Sequence, residues 1–143
     1  MSHKAIVLDA NILIRAVLGK RVRDLIENHA ASVDFFTPDV AFEDARRYLP
    51  AILKKRGIAG APALAVLEGL GQIIHSLPEE YYSAFQSQSL HRIAVRDPDD
   101  WPIVACSLAL NCPVWTEDTD FFGAGIATWT TNRVEYYLSA EVR

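Results

Sequence analysis

The sequence predicts an α/β fold in which helices cover both faces of a mostly parallel sheet. Short segments rich in β-branched and aromatic residues alternate with longer segments whose apolar residues recur every three or four positions. The first short segment, residues 5–8, is apolar throughout, as in a strand buried on both faces. Acidic residues follow several predicted strands directly, and sites of α/β proteins gather at those strand ends. A layered α/β sandwich is therefore expected.

The first part of the chain predicts a strand, two helices and a second strand. After the strand at 5–8, residues 12–18 form a predicted helix that breaks at Gly19. Residues 22–29 form a second helix with one apolar face. Residues 33–36 are β-branched and aromatic, which favours a strand.

The next helix is expected to open at Thr37 and Pro38. Threonine is a favoured N-cap residue, and proline is favoured at the first helical position. Pro50 should kink or split this helix, because an internal proline removes a hydrogen bond and clashes with the preceding turn.

The rest of the chain continues the alternation without repeats, linkers or low-complexity tracts. Residues 1–143 are therefore expected to form a single domain. The remaining predicted elements are a helix over 61–70, a short strand over 72–76, a helix over 78–90, a turn over 96–99, a helix over 100–110, strands over 113–115 and 126–129, and a helical tail over 134–138.

Composition points to a globular cytoplasmic protein. Hydrophobic residues make up 50% of the chain and charged residues 22%, so disorder is not expected. No apolar run approaches the ~20 residues that span a bilayer, and residues 5–8 are too short for the apolar part of a secretory signal. Cys106 and Cys112 are expected to be buried thiols, since no further metal ligands flank them.

The net charge of −4 does not exclude a nucleic-acid substrate. If five of the 18 acidic residues form one metal-binding cluster, the negative charge of the others nearly balances the positive charge of the 14 basic residues. Bound divalent cations would then neutralise much of the negative charge of the cluster. The charge does argue against tight, sequence-independent binding of duplex DNA, which requires many cationic phosphate contacts.

Acidic residues fall where an α/β sheet gathers its sites, near the carboxyl ends of strands. Several carboxylates converging without a cationic partner would repel one another unless a hard cation such as Mg²⁺ or Mn²⁺ joined them. These acids are Asp9 after the first strand, Glu43 on the helix after the second, Asp97, Asp99 and Asp100 before a later helix, and Asp118 and Asp120 after a later strand.

Each acid also has a purely structural interpretation. Asp9 and Asp100 could be helix caps, and Glu43 could pair with Arg47 one helical turn away. Asp118 and Asp120 could be ordinary loop residues. Only the joint placement of the acids favours a metal site.

The motifs around these acids resemble those of PIN-domain nucleases. Residues 8–13 (Leu-Asp-Ala-Asn-Ile-Leu) are similar to the opening motif of that family. Residues 100–105 (Asp-Trp-Pro-Ile-Val-Ala) resemble its third acidic motif, and residues 116–121 (Thr-Glu-Asp-Thr-Asp-Phe) resemble its fourth. Glu43 matches its single helical glutamate. The motifs are individually short, but they occur in the family's order over residues 5 to about 130.

The resemblance implies a five-stranded parallel sheet and a Mg²⁺- or Mn²⁺-dependent endoribonuclease acting on RNA. It also implies an expected relation to VapC-like toxins of toxin–antitoxin pairs, with a protein antitoxin as partner and a homodimer as the assembly. Because a metal-activated water does not need the RNA 2′-hydroxyl, the expected products carry a 5′-phosphate and a 3′-hydroxyl.

The resemblance also assigns expected roles to single residues. Asp97 and Asp99 compete with Asp100 for the third acidic position, and Asp44 lies beside Glu43. The implied roles are metal binding and catalysis for Asp9, Glu43, Asp100 and Asp118, an auxiliary acid for Asp120 and Asp97, and hydrogen bonding around the metal ligands for Asn11 and Thr116.

Substrate contacts are less clear from the sequence. Basic residues cluster at 20–23 and 46–56, where they either neutralise phosphates or form solvated helix faces. Trp101, at a helix start beside Asp100, is a candidate for stacking on a base of single-stranded RNA.

Three other functions fit the sequence less well than a metal-dependent nuclease. A Mg²⁺-dependent receiver-like switch needs a lysine after the last strand, and residues 130–133 contain none. A structure-specific DNA nuclease of the wider group would carry extra helical elements, for which the chain has little room. A phosphatase of similar topology would need a second acid at Asn11. The non-catalytic Mg²⁺-binding module and a nuclease outside toxin–antitoxin systems stay open as alternatives.

Overall fold

A computed structural model describes residues 4–141, so residues 1–3 and 142–143 of the predicted domain lie outside the described part. Five strands form one sheet in the order β3-β2-β1-β4-β5, and every neighbouring pair is parallel. This confirms the predicted α/β class with a five-stranded sheet. The strands are β1 (Lys4–Leu8), β2 (Val33–Pro38), β3 (Ile74–Leu77), β4 (Val114–Trp115) and β5 (Thr128–Trp129).

Helices connect the strands and form the two outer layers of the sandwich. They are α1 (Ala10–Leu18), α2 (Lys20–His29), α3 (Asp39–Arg56), α4 (Gly60–Leu70), α5 (Glu79–Tyr82), α6 (Gln86–Ile93), α7 (Trp101–Leu110) and α8 (Val134–Ser139). Short 3₁₀ turns cover Ser83–Phe85, Pro98–Asp100 and Thr119–Phe121.

The sheet buries both of its faces, which explains the continuous apolar run in β1. Ile6 and Leu8 pack into one core with helices α1 to α4 and α8. Val7 points to the other face and packs with residues of α5, α6 and α7. Trp115 and Val114 of β4 divide between the two cores in the same way.

Strand order reverses at β1, and this reversal positions the site. From β1 the chain moves to β2 and β3 on one side, then crosses to β4 and β5 on the other. Leu8 is in register with Trp115 at the carboxyl ends of β1 and β4. Asp9 and Thr116, the next residues along the two strands, therefore lie side by side at the topological switch point.

The structure corrects the predicted start of α3. Thr37 and Pro38 belong to β2, and α3 begins at Asp39 without a side-chain cap. The buried Thr37 hydroxyl instead donates a hydrogen bond to the carbonyl oxygen of Leu8, 2.8 Å away. Pro50 does not split the helix, which is continuous over Asp39–Arg56.

Two other elements differ from the prediction. The helix expected over 78–90 is interrupted by the 3₁₀ turn at Ser83–Phe85, so α5 and α6 are separate. The last strand is only Thr128–Trp129, shorter than the predicted 126–129, and it follows a turn in which Gly123 and Gly125 have positive φ angles. Cys106 and Cys112 are free thiols, and burial raises the pKa of both.

No helix within residues 4–141 combines the length and the apolar character needed to cross a membrane.

Candidate metal centre

Asp9 is held rigidly at the end of β1. One carboxylate oxygen accepts a hydrogen bond from the Ile12 amide at 2.9 Å, which caps the N-terminus of α1. The other accepts a hydrogen bond from the Thr116 hydroxyl at 2.5 Å. The Asp9 side chain is only 6% exposed, so both its position and its orientation are determined by these contacts.

Thr116 links the first acid to the loop that follows β4. Its hydroxyl oxygen accepts a hydrogen bond from the Asp118 amide at 2.9 Å while its hydrogen is donated to Asp9. The Asp118 carboxylate in turn accepts the Asp120 amide at 2.9 Å. A single chain of hydrogen bonds therefore sets the geometry of three acids.

Asp100 reaches the same place from the start of α7. Asp97 caps the preceding 3₁₀ turn by accepting the Asp99 amide at 3.0 Å. The Oδ2 atom of Asp100 is buried and has no hydrogen-bond partner among the described residues. A buried carboxylate oxygen without a partner is costly, so this atom is available to an additional ligand.

The pKa values of Asp9 and Asp100 are raised by burial first and by neighbouring acids second. Burial raises the pKa of Asp100 to about 7, and the negative charges of Asp97 and Asp118 add to this effect. Burial also raises the pKa of Asp9 to about 6, opposed by the hydrogen bonds from Thr116 and Ile12. Both raised pKa values reflect carboxyl groups that are removed from water and lie close to other acids.

One pocket brings together acids from four parts of the chain. No Lys, Arg or His side chain of residues 4–141 lines it. The acids that line this pocket, which we call the acidic pocket, are Asp9, Asp44, Asp99, Asp100 and Asp118.

A second grouping shares Asp100. One carboxylate oxygen from each of Asp97, Asp100 and Asp120 lies within 4.8 Å of the others. Asp100 thus belongs both to the acidic pocket and to this triad, whereas Asp97 and Asp120 belong only to the triad. Of the three candidates for the third acidic position, Asp100 is therefore the most central.

Glu43, the expected helical ligand, does not lie in the acidic pocket. It is exposed and lines a separate groove between α3 and β3, together with Arg46 and Ile74. The next residue, Asp44, lines the acidic pocket instead. Successive residues on a helix point about 100° apart, so a shift of one position exchanges one face for another.

Asp44 also contacts a cation on its own helix. Arg47 donates to its Oδ1 at 2.6 Å, and the exposed fractions of the two side chains are 66% for Arg47 and 41% for Asp44. Exposed pairs of this kind contribute about 0–1 kcal/mol, so the pair leaves Asp44 able to bind a stronger cation.

Two aromatic residues near the site differ in exposure. Trp101, the expected stacking residue, is half-buried, packs in the core on the α7 side of the sheet, and contacts Tyr82 with ring centroids 5.6 Å apart. Tyr48 is 52% exposed and lines the acidic pocket. Tyr48 therefore presents an exposed aromatic ring to the acidic pocket, and the Arg47 guanidinium lies over that ring, 4.9 Å from its centroid.

Sequence reasoning missed the arginines that hold the loop after β4. Arg96 donates to the carbonyl oxygens of Thr119, Asp120 and Phe122. Arg92 donates to the carbonyl oxygens of Ala124 and Gly125. These contacts fix the segment that carries Asp120. An arginine bonded only to carbonyl groups leaves no charge pattern in the sequence, so no signal could have revealed it.

The acidic pocket meets the physical requirements of a divalent-metal site. Its donors are carboxylate oxygens, which suit hard cations such as Mg²⁺ and Mn²⁺. The buried Asp100 Oδ2 lacks a partner, and a cation would supply one. Fold and site together define a class of protein, the α/β proteins with an acidic cluster at the switch point of a parallel sheet.

The family within this class follows from sequence comparison. The PIN domain family profile matches residues 7–139, nearly the whole chain. The chain therefore belongs to the PIN domain family, as its motifs had indicated. No curated protein sequence matches it.

Solved structures share the fold at low sequence identity. VapBC2 from Rickettsia felis, bound to a promoter DNA fragment, has 12% identity and a TM-score of 0.62, with 88% of this chain and 98% of that chain covered. VapBC-1 from nontypeable Haemophilus influenzae has 15% identity and a TM-score of 0.59, covering 90% and 98%. FitAcB from Neisseria gonorrhoeae has 22% identity and a TM-score of 0.57, covering 88% and 97%. At these identities the likeness concerns the fold.

Proposed function

We propose that this chain is a single-domain, divalent-metal-dependent endoribonuclease. The observation that carries the proposal is the buried, unpartnered Asp100 Oδ2 in a pocket that Asp9 and Asp118 also line. Membership of the PIN domain family, whose members are generally nucleases, supports it.

The proposed ligands for Mg²⁺ or Mn²⁺ are Asp9, Asp100 and Asp118, with Asp44 in the role expected of Glu43. Such an ion, when bound, supplies the positive charge that activates a water for in-line attack and stabilises the leaving 3′-oxygen. Asp9 and Asp118 are held for this task through Thr116. Asp97 and Asp120 are proposed as auxiliary acids, and the closeness of their carboxylate oxygens to Asp100, within 4.8 Å, supports this.

Asn11 has a different proposed role. Its side chain is exposed at the start of α1 and lines the acidic pocket. An amide can donate to a phosphate oxygen without adding negative charge, so Asn11 is proposed to orient the substrate.

The biological setting is proposed from the structural neighbours. Four of the similar structures contain VapBC, FitAcB or FitAB, and two of these four are bound to DNA. By analogy, the chain is proposed to act in the cytoplasm as the homodimeric toxin of a toxin–antitoxin pair, with a protein antitoxin as partner. An adjoining reading frame for a small protein in the genome would support this setting.

The experiment is an RNA cleavage assay on the purified chain with a random-sequence pool of single-stranded RNA. Wild type with Mg²⁺ or Mn²⁺ is expected to leave 5′-phosphate and 3′-hydroxyl ends, and chelator should stop the reaction. Asp100→Asn should reduce the cleavage rate by more than the roughly 10–100-fold that is typical when a residue hydrogen-bonded to a metal ligand is replaced. Glu43→Gln is the matched control and should cleave like wild type.

Equal cleavage by wild type and Asp100→Asn would reveal a contaminating nuclease and refute the proposal. Products with 2′,3′-cyclic phosphate ends would refute the metal-dependent chemistry, because they arise from attack by the 2′-hydroxyl.

A further inference from the structure

A large groove opens beside the acidic pocket. Its volume is about 1100 Å³, and residues of α1, α2, α3 and the loops after β4 and β5 line it. Asn11, Ile14 and Asp118 line both the groove and the acidic pocket. The groove and the acidic pocket therefore adjoin each other at these three residues.

Four cations line this groove: Arg15, Arg21, Lys55 and Arg56. All four are exposed, and none has an ion pair or side-chain hydrogen bond within residues 4–141. Several other cations of the same helices are paired with acids: Lys20 with Asp24, Arg23 with Glu27, Arg46 with Glu68 and Arg47 with Asp44.

Apolar side chains share the groove with the cations. They are Ile14, Leu18, Val22 and Ile52. Two acids also line the groove, Glu117 and Asp118. The Glu117 carboxylate accepts a hydrogen bond from the Thr131 amide at 2.6 Å, and Asp118 also lines the acidic pocket. An apolar surface flanked by unpaired cations suits a polymer that carries a regular negative charge and flat apolar faces.

We propose that this groove binds the backbone of single-stranded RNA on one side of the scissile phosphate, a proposal that rests on the proposed function. The four cations contact successive phosphates, and the apolar surface receives bases that are unstacked from a duplex. An acidic peptide would match the charges equally well. The position next to the acidic pocket favours RNA, because a strand that is cut at that pocket extends beyond it into neighbouring space, and this groove shares three lining residues with the pocket.

The test measures RNA binding without catalysis. Fluorescence anisotropy is recorded with a labelled, random-sequence single-stranded RNA in chelator, for wild type and for the single variants Arg15→Gln, Arg21→Gln, Lys55→Gln and Arg56→Gln. The matched control is Lys54→Gln, because Lys54 is an exposed neighbour of the same charge that does not line the groove. Thermal unfolding confirms that each variant is folded.

Each groove variant should weaken RNA binding about threefold or more at low salt, and Lys54→Gln should stay within about twofold of wild type. The slope of log K against log salt should fall by about 0.7 for each phosphate contact that is lost. Equal affinity of the groove variants and wild type would overturn the proposal. Loss of poly-L-glutamate binding without loss of RNA binding would also overturn it, in favour of an acidic peptide.

These outcomes separate the groove from the proposed catalysis. Asp100→Asn keeps the groove intact and should bind RNA at least as tightly as wild type in chelator. If groove variants bind and cleave like wild type, the groove proposal fails while the nuclease assignment stands. If wild type never cleaves but the groove variants lose RNA affinity, the nuclease assignment fails while the groove proposal stands.

Discussion

Replacing Asp100 by asparagine should stabilise the metal-free protein at alkaline pH. Asparagine has nearly the same shape, and it removes a negative charge that faces Asp97 and Asp118 in a partly buried position. Burial and these neighbours raise the pKa of Asp100 from 3.8 to about 7. The protonated carboxyl of Asp100 leaves the folded protein at its full stability below about pH 4. That stability is lost as the pH rises through about 7, because Asp100 then ionises in the folded protein.

The size of the effect follows from the pKa shift. A shift of about three units corresponds to about 4 kcal/mol at 1.36 kcal/mol per unit. Asp100 is only half-buried, so solvent screening reduces this to about 2 kcal/mol. For a chain of this length, about 2 kcal/mol corresponds to a rise in Tm of about 6 °C.

The assay is urea unfolding followed by tryptophan fluorescence, for which the fully buried Trp115 is a reporter. In chelator at pH 8, the free energy of unfolding of Asp100→Asn should exceed that of wild type by about 2 kcal/mol. This difference should vanish near pH 4. Mg²⁺ at ten times its Kd should raise the free energy of unfolding of wild type by about 1.4 kcal/mol and that of the variant by less. A variant less stable than wild type at pH 8 in chelator would refute the assigned charge repulsion. Glu43→Gln, at an exposed position, should change stability little.

Other substitutions test how the site is positioned. Asp44→Asn should reduce the rate of RNA cleavage at least tenfold, since Asp44 lines the acidic pocket. A larger loss of rate in Glu43→Gln would contradict the assignment of Asp44, and not Glu43, to that pocket. Thr116→Val removes the hydroxyl between two acids and should raise the metal Kd about 10–100-fold, measured by titration calorimetry; an unchanged Kd would contradict its orienting role. Arg96→Met removes the hydrogen bonds to the loop carbonyl groups, so it should speed amide hydrogen exchange in residues 119–124 and lower the cleavage rate. Unchanged exchange would show that the loop keeps its conformation without Arg96.

The sequence predicted the parts of the fold and site that depend on local pattern. The apolar run before Asp9 specifies a doubly buried strand, and its end at the carboxyl edge of the sheet places the acid. The Thr116–Asp118 motif likewise follows a buried strand, so both motifs meet because parallel strands end at one edge.

Other parts depend on tertiary contacts. Pattern cannot decide between Glu43 and Asp44, because the orientation of α3 against the sheet determines which of them faces the acidic pocket. Thr37 looks like a helix cap, yet its pairing with β3 and its hydrogen bond to Leu8 keep it in β2. Long-range contacts override local propensity at both places.

Direct measurement of Mn²⁺ binding by electron paramagnetic resonance tests the central claim most closely, because it requires neither an RNA target nor turnover. Wild type should bind Mn²⁺ in competition with Mg²⁺, and Asp9→Asn and Asp100→Asn should each weaken binding at least about tenfold. Glu43→Gln should bind like wild type. Equal Mn²⁺ affinity in wild type, Asp9→Asn and Asp100→Asn would contradict the account.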